Sequence, residues 1–301
     1  MSGSLQLYEF SGSVWSNAPK IAIEEGGFKK GQDYDYITIN LAEGANFDPS
    51  YLKINPAGTV PTLIVGKDTF TDSISAVAEI NKLAPNKPKG KVSGGVSLIE
   101  EVSVPAHGHI VELTLWSQIH GAAIDPNATL LLATDDKDRE VKANGLPKAF
   151  LAGRQKALNQ FSQSPPAEFK DFLNKKREDN LQLLDFYSGA PDEQTRKAHY
   201  AQGQQLWSSV GAALQGFVAD ALTKNHQGPY VGGSEPSEAD FHLITWLART
   251  ITNAGVEPGT NADDAIKQLQ AKTGASSFDD SIKLYWETWT ARDSFKNAGV
   301  H

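Results

Sequence analysis

Near the start of the chain, three polar side chains that could stabilise an anion lie close together. Ser13, Ser16 and Asn17 fall in the segment SGSVWSN, between a predicted strand and a predicted helix. Hydroxyl and amide groups here can donate hydrogen bonds to a bound anion. The N-terminus of the following helix adds positive potential at the same place. The alternative is that one or more of these side chains caps the helix, and Ser16 and Asn17 are the best placed to do so.

A second chemical signal is Pro61, which interrupts the otherwise regular strand pattern TVPTLIV. Proline cannot donate to a strand ladder, so it needs an edge position or a special backbone geometry. A cis Val60–Pro61 bond would turn the backbone N–H and C=O of Val60 toward an open edge, where a peptide-like ligand could pair as an extra strand. The alternative is a trans proline on an ordinary edge strand.

Asp72 and Ser73 form the third signal, directly before the apolar-periodic segment ISAVAEINKLA. Such a pair commonly does no more than cap the following helix. A helix N-terminus also attracts carboxylates and other anions. The pair therefore predicts either a plain cap or an anion-binding helix end.

The elements that position these residues follow a β-α-β order and then a hairpin, which favours a parallel strand pair followed by an antiparallel one. The predicted elements are a strand, a helix, three strands and a helix, over 5–10, 18–27, 34–41, 59–65, 69–71 and 74–84. Residues 1–85 are therefore predicted to form an α/β domain.

The rest of the chain has a different pattern. Residues 86–95 are rich in Pro, Gly and Lys and predict an exposed linker. Beyond them helix patterns dominate, so residues 96–301 are predicted to form an all-α domain with an irregular excursion over 121–146. The predicted helices cover 96–120, 147–162, 166–188, 193–224, 237–254, 262–273 and 278–296.

Composition excludes several classes of function. With 28 basic and 36 acidic residues among 301, the net charge is −8, so neither nucleic acid nor an anionic membrane is an expected partner. The absence of cysteine excludes disulfides and cysteine nucleophiles, so any sulfur chemistry must use a ligand's sulfur. No signal-peptide or membrane-spanning pattern occurs, which predicts a cytoplasmic protein. His107 and His109 are too few for a metal site, and no metal is expected.

Two segments resemble one known family. NPAGTVPTL over 55–63, followed by Asp72 and Ser73, resembles the thioredoxin-like domain of glutathione transferases. GGSEPSEADF over 232–241 resembles the N-capping box of a buried helix in the helical domain of that family. The extra length and the segment DPNATLLLA resemble fungal members related to bacterial β-etherases. The resemblance implies a thioredoxin-like domain followed by an all-α helical bundle, the glutathione transferase fold.

The resemblance also implies roles for individual residues. Ser13 stands where Ser-type members keep the hydroxyl that donates to the glutathione sulfur, with Ser16 and Asn17 as the next candidates. Tyr8 is the weaker alternative, because Tyr-type members carry their donor in the first strand. A donor here stabilises the nucleophilic thiolate.

The rest of glutathione would contact the second and third signals. By the resemblance, Val60, ahead of Pro61, pairs with the peptide backbone, while Asp72 and Ser73 hold the γ-glutamyl end. Thr59 stands where the family often has Lys or Gln for the glycine carboxylate, so another residue must serve, and Lys53 is near in sequence.

An apolar site for the second substrate is expected between the domains. Trp15, Trp116 and His120 are the candidates to line it, although Trp116 is more simply a core residue. The sequence thus predicts a homodimeric, Ser-type glutathione transferase that uses glutathione as cosubstrate against an apolar, aromatic electrophile, by conjugation or ether cleavage. The alternatives are a ligandin-like binding protein for aromatic compounds and a non-catalytic regulatory module of the same fold.

Overall fold

The N-terminal part of the chain forms a four-stranded sheet covered by helices. The computed structural model describes residues 4–89, 122–223 and 228–300. The strands occur in the order β2-β1-β3-β4; β1 and β2 are parallel, and the other two pairs are antiparallel. In chain order the elements are β1 Leu5–Glu9, α1 Val14–Gly26, β2 Tyr34–Thr38, α2 Pro49–Leu52, β3 Thr62–Val65, β4 Asp68–Phe70 and α3 Ser73–Leu83. The predicted α/β domain is confirmed.

Strand register brings the three chemical signals to one end of this sheet. The ladder between β1 and β3 pairs Tyr8 with Thr62, so the loop after β1 lies beside Val60 and Pro61. In the hairpin, Leu63 pairs with Phe70, so the start of α3 lies at the same end. Because β1 is antiparallel to β3 and β3 to β4, one strand starts where its neighbours end.

The described remainder of the chain is helical, and no strand occurs in 122–223 or 228–300. Its helices are α4 Pro126–Leu131, α5 Asp136–Asn144, α6 Leu146–Phe161, α7 Lys170–Ser188, α8 Glu193–Ala213, α9 Ala219–Thr223, α10 Glu238–Asn253, α11 Ala262–Thr273, α12 Asp280–Ala291 and α13 Asp293–Ala298. The all-α prediction is confirmed for these residues. The predicted start of the second domain at residue 96 and the whole predicted helix 96–120 lie outside the described residues.

The prediction of an irregular excursion over 121–146 was wrong, because α4 and α5 lie there. Asp125 caps α4 and Asp135 caps α5, each accepting a backbone N–H in the first turn. Most residues of α5 are charged, so its sequence shows no hydrophobic period. Its buried Lys142 donates to the Thr129 and Leu130 carbonyls instead of packing as an apolar side chain. Caps and this one amine therefore stabilise a segment that carries little hydrophobic signal.

Helix α10 is the centre of the helical half, and nearly all of its side chains are buried. At its start the Asp240 carboxylate accepts hydrogen bonds from the N–H groups of Val231, Gly232 and Ser237 at 2.8, 3.0 and 2.8 Å, and from the Ser237 hydroxyl at 2.8 Å. These four bonds, here called the Asp240 network, confirm the predicted capping box. Further along α10, Trp246 donates to the Ile124 carbonyl.

Helices α6 and α7 pack on the N-terminal domain rather than on α10. Phe47 and Leu52 form a separate apolar cluster with Leu158, Phe169 and Leu173. The Arg154 guanidinium lies 5.0 Å from the centre of the Phe47 ring. The helical half therefore covers the irregular segment between β2 and β3.

No helix among the described residues is both long enough and apolar enough to cross a membrane.

Candidate functional site

Ser13 is the N-cap of α1. Its backbone is extended, and its hydroxyl oxygen accepts the Ser16 N–H at 3.3 Å. The side chain of Ser13 is 8% exposed. Because a hydroxyl can accept one hydrogen bond and donate another, the Ser13 O–H group can still donate to a ligand atom.

The prediction that Ser16 or Asn17 caps this helix was wrong. Helix α1 begins at Val14, four residues before the predicted start at 18, and encloses Pro19. Proline is common at the first helical position, but Pro19 lies in the second turn of α1, where it removes one helical hydrogen bond. Ser16 and Asn17 are buried in the first turn, and neither the Ser16 hydroxyl nor the Asn17 carbonyl oxygen has a hydrogen-bond partner among the described residues.

The Val60–Pro61 bond is cis, as predicted. Val60 lies beyond the Tyr8–Thr62 pair at which the β1–β3 ladder begins. The backbone of Val60 is therefore outside the sheet's own pairing.

Three buried side chains fix the two residues ahead of Val60, and sequence reasoning missed this role. Asn46 donates to the Gly58 carbonyl at 2.7 Å, and Tyr51 and Asn55 donate to the Thr59 carbonyl at 2.5 and 2.9 Å. These bonds are here called the 58–59 network. Asn55 begins the segment NPAGTVPTL, whose pattern does not indicate which side chains bond inward, and Asn46 and Tyr51 stand in a segment without a hydrophobic period. Thr59 and Lys53, considered for a glycine carboxylate, are both exposed.

At the start of α3, Asp72 is the cap and Ser73 is the first helical residue. The Asp72 carboxylate accepts the backbone N–H groups of Ile74 and Ser75 at 3.0 and 2.8 Å. The Ser73 hydroxyl lies 3.2 Å from Nε2 of His242, a residue of α10. The predicted cap is therefore confirmed, and Ser73 also joins the two halves of the molecule.

His242 is buried between these elements. Its Nδ1 lies 3.2 Å from the Glu238 carbonyl oxygen, which can only accept a hydrogen bond. Burial lowers the pKa of His242 to about 4, so the ring is neutral at pH 7. With Nδ1 donating to the Glu238 carbonyl, Nε2 of the neutral ring can accept a hydrogen bond from the Ser73 hydroxyl.

Arg249, two turns further along α10, reaches the loop that carries Ser13. Its Nη2 donates to the Gly12 carbonyl at 2.8 Å. Burial lowers the pKa of Arg249, yet a guanidinium keeps its charge in a protein. Within the described part of the chain no carboxylate pairs with it, and its Nε has no hydrogen-bond partner there.

The remaining predicted site residues are only partly placed. Trp15 is half-buried on α1 and packs against the main core. Trp116 and His120 lie outside the described residues, as do His107 and His109. The Tyr8 ring packs 5.9 Å from the Tyr51 ring. Among the described residues, no group of three His, Asp or Glu side chains could hold a metal ion.

Comparison with known proteins addresses the N-terminal part directly. Residues 3–75 match the family described as "Glutathione S-transferase, N-terminal domain". The chain carries a glutathione S-transferase N-terminal domain. The four-stranded sheet and the cis Val60–Pro61 bond both lie within the matched residues.

Curated relatives extend the match only a little further. A zeta-class glutathione S-transferase of Euphorbia esula is 38% identical over 84 residues, which are 28% of this chain and 36% of that protein. A tetrachloro-p-hydroquinone reductive dehalogenase of Sphingobium chlorophenolicum is 35% identical over 80 residues, 26% of this chain and 31% of that protein. The chain spans about a third of the length of these two relatives.

Similarity to solved structures extends over almost the whole length of the chain. The β-etherase LigF from Sphingobium sp. strain SYK-6 superposes with a TM-score of 0.58 and 16% identity, covering 98% of each chain. At this identity the likeness concerns the fold alone. The chain as a whole therefore has a glutathione transferase fold.

Proposed function

We propose that this protein is a Ser-type glutathione transferase that ionises the glutathione thiol and directs it at an apolar, aromatic electrophile. The observation that carries the proposal is the convergence of Ser13, the cis Val60–Pro61 bond and the start of α3 at one end of the sheet. Each of these features can hold a different part of a tripeptide.

The proposed binding mode follows the three features. Val60 pairs with the peptide backbone of glutathione, because it lies outside the β1–β3 ladder. The N-terminus of α3, with Asp72 and Ser73, takes the γ-glutamyl carboxylate and ammonium. Since the Ser73 hydroxyl is engaged by His242, its backbone N–H is the donor we assign to that carboxylate.

Ser13 supplies the proposed catalytic group. Its hydroxyl donates a hydrogen bond to the sulfur. The same hydroxyl oxygen accepts a hydrogen bond from the Ser16 N–H, which polarises the O–H group. The N-terminus of α1 adds positive potential, so the thiol loses its proton to solvent more readily. The thiolate sulfur then forms a bond to the electrophilic carbon, and the leaving group departs with its electron pair. Conjugation and aryl ether cleavage share this step.

The relatives support thiol chemistry of this kind. The similar proteins are named as a transferase, a reductive dehalogenase and a β-etherase. Each name describes the activity of that protein. We extend to this chain the use of glutathione that the first name states and the aromatic substrate that the second name states. A homodimeric state, a cytoplasmic location and Trp15 as a lining residue of the electrophile site stay predictions.

The test combines calorimetry with spectroscopy. Glutathione is titrated into the protein at neutral pH, and ultraviolet difference absorbance then measures the bound thiolate. We expect binding in Ser13→Ala with little thiolate and a fall in kcat of about 100-fold against chlorodinitrobenzene. Ser13→Thr keeps the hydroxyl and is the matched control.

Other outcomes favour other functions. Absence of binding at millimolar glutathione contradicts the proposal and leaves a regulatory module. Binding without thiolate absorbance in the unmodified protein indicates a ligandin. Tyr8→Phe should leave the turnover unchanged, and a large loss there would transfer the donor role from Ser13 to Tyr8.

A further inference from the structure

Two side chains of α10 contact the two ends of the proposed glutathione site separately. Arg249 donates to the carbonyl of Gly12, the residue before Ser13. His242 contacts the hydroxyl of Ser73, the first residue of α3. The two lie seven positions apart, about two helical turns, and so share one face of α10.

Neither contact has the character of ordinary core packing. Most of the buried side chains of α10 are apolar, and burying a guanidinium without a carboxylate costs free energy. Arg249 is 8% exposed, and its charge is not neutralised by an acidic group in the described part of the chain. Folding alone would be served better by an apolar side chain of similar volume.

The Arg249 contact fixes both a geometry and a charge. The hydrogen bond sets the peptide that joins Gly12 to Ser13, and hence the direction of the Ser13 side chain. The unneutralised guanidinium also places a full positive charge beside the loop where a thiolate would form. In a poorly solvated site, such a charge lowers the pKa of a neighbouring acid by about one to three pH units.

His242 acts at the other end of the site. Its ring fixes the Ser73 side chain across the domain boundary and so orients the first turn of α3. It is neutral at pH 7 and contributes no charge there. An effect of His242 should therefore appear in affinity for glutathione and not in the ionisation of its thiol.

We propose that α10 positions the two ends of the glutathione site independently, Arg249 the thiol end and His242 the γ-glutamyl end, with Arg249 also supplying positive charge to the thiolate. This inference rests on the proposed function. Both are positioning residues, and Ser13 alone touches the sulfur.

The experiment compares two variants of one helix, using the full chain. Arg249→Met should raise the pKa of the bound glutathione thiol by about one pH unit and lower kcat about tenfold, with the dissociation constant changed less than about twofold at a pH where the bound thiol is protonated. His242→Leu should raise the dissociation constant about fivefold and leave the thiol pKa unchanged, because it removes one hydrogen bond of about 1 kcal/mol.

Conservative variants separate charge from shape. Arg249→Lys should restore most of the thiol pKa because it keeps the charge, whereas Arg249→Gln, which keeps a donor but no charge, should not. His242→Gln should recover affinity because its amide can reach Ser73. Where Arg249→Met does not fold, the Lys and Gln pair supplies the same comparison.

The outcomes distinguish this inference from the function on which it rests. Failure of the unmodified protein to bind glutathione or ionise its thiol defeats the proposed function. A functional parent whose Arg249→Met and His242→Leu variants shift the same parameter, or only the unfolding midpoint, overturns the positioning inference and leaves the function standing.

Discussion

Two loops of the molecule, one in each half, are held by buried side chains that bond to different backbone groups. In one loop these groups are N–H donors, and in the other they are carbonyl acceptors. The Asp240 network gathers backbone N–H groups on one carboxylate. The 58–59 network instead donates from neutral side chains to two backbone carbonyls. The first closes a loop on the start of a buried helix and serves folding. The second fixes the residues ahead of Val60, whose own backbone lies outside the ladder, and so suits the presentation of a backbone to a ligand.

The largest effect should come from removing the carboxylate of the Asp240 network. Asp240→Ala leaves four donors without an acceptor in a buried site, so we expect a loss of about 4 kcal/mol in the free energy of unfolding. Urea denaturation measures it. Asp263→Ala, which removes an exposed first-turn acid of α11, is the control and should cost less than about 1 kcal/mol. Equal losses would show that Asp240 acts only as an ordinary cap.

The contact between the two halves should depend on pH through His242. The unfolded ring has a pKa near 6.5, and burial lowers the folded value to about 4. Between these values the unfolded chain binds more protons, so stability falls as the pH falls through this window and is fully present above it. The loss should reach about 3 kcal/mol at pH 4.

Denaturation curves between pH 7 and 4 test this dependence. His242→Gln should flatten the curve by that amount. His199, whose pKa burial also lowers to about 4, will keep a slope of its own. A curve unchanged in His242→Gln would show that the ring is not buried neutral.

The third prediction concerns Gly58, whose carbonyl belongs to the 58–59 network. Gly58 has φ +60, and a β-carbon there would lie 3.1 Å from Phe172 and 3.2 Å from Leu52. Gly58→Ala should therefore cost about 3 kcal/mol, from backbone strain and crowding together. Gly66 has a similar φ of +62 with nothing within 4 Å, so Gly66→Ala should cost only about 1 kcal/mol. Equal costs would mean that Phe172 and Leu52 move aside.

The smallest effect should follow from deleting one donor of the 58–59 network. Tyr51→Phe removes the hydroxyl bond to the Thr59 carbonyl, which keeps Asn55 as a donor. We expect a loss of about 1 kcal/mol in stability and a glutathione dissociation constant raised about threefold. Tyr8→Phe, on the neighbouring ring, should change neither. A stability loss without any change in affinity would place this network with the Asp240 network, as a folding device.

Sequence patterns predicted the elements that carry a strong period or clear punctuation. Helix α11 begins and ends where it was predicted, at 262 and 273, because Asn261 caps its start and Gly274 ends it. The cis Val60–Pro61 bond was also predicted, from a proline inside a strand. Such features depend on a few neighbouring residues, so the local sequence is enough to predict them.

The contacts that complete the site could not be predicted in this way. Arg249 meets Gly12 across 237 positions of sequence, and His242 meets Ser73 across 169. Nothing in the local pattern of α10 distinguishes these two polar side chains from others on a helix. Asn46 and Tyr51 act within a segment of short turns, where no period indicates which side chains point inward. Tertiary packing alone makes these residues partners.

The position of α6 and α7 against the segment between β2 and β3 means that the N-terminal domain depends on helices of the other half for part of its apolar cover. A hybrid that joined residues 1–85 to a helical domain without counterparts of α6 and α7 would expose Phe47 and Leu52 to water. Such a hybrid should aggregate or fold poorly, even with an intact thioredoxin-like sheet. Transfer of this N-terminal domain to another protein would therefore have to carry the 41–52 segment together with the helices that cover it.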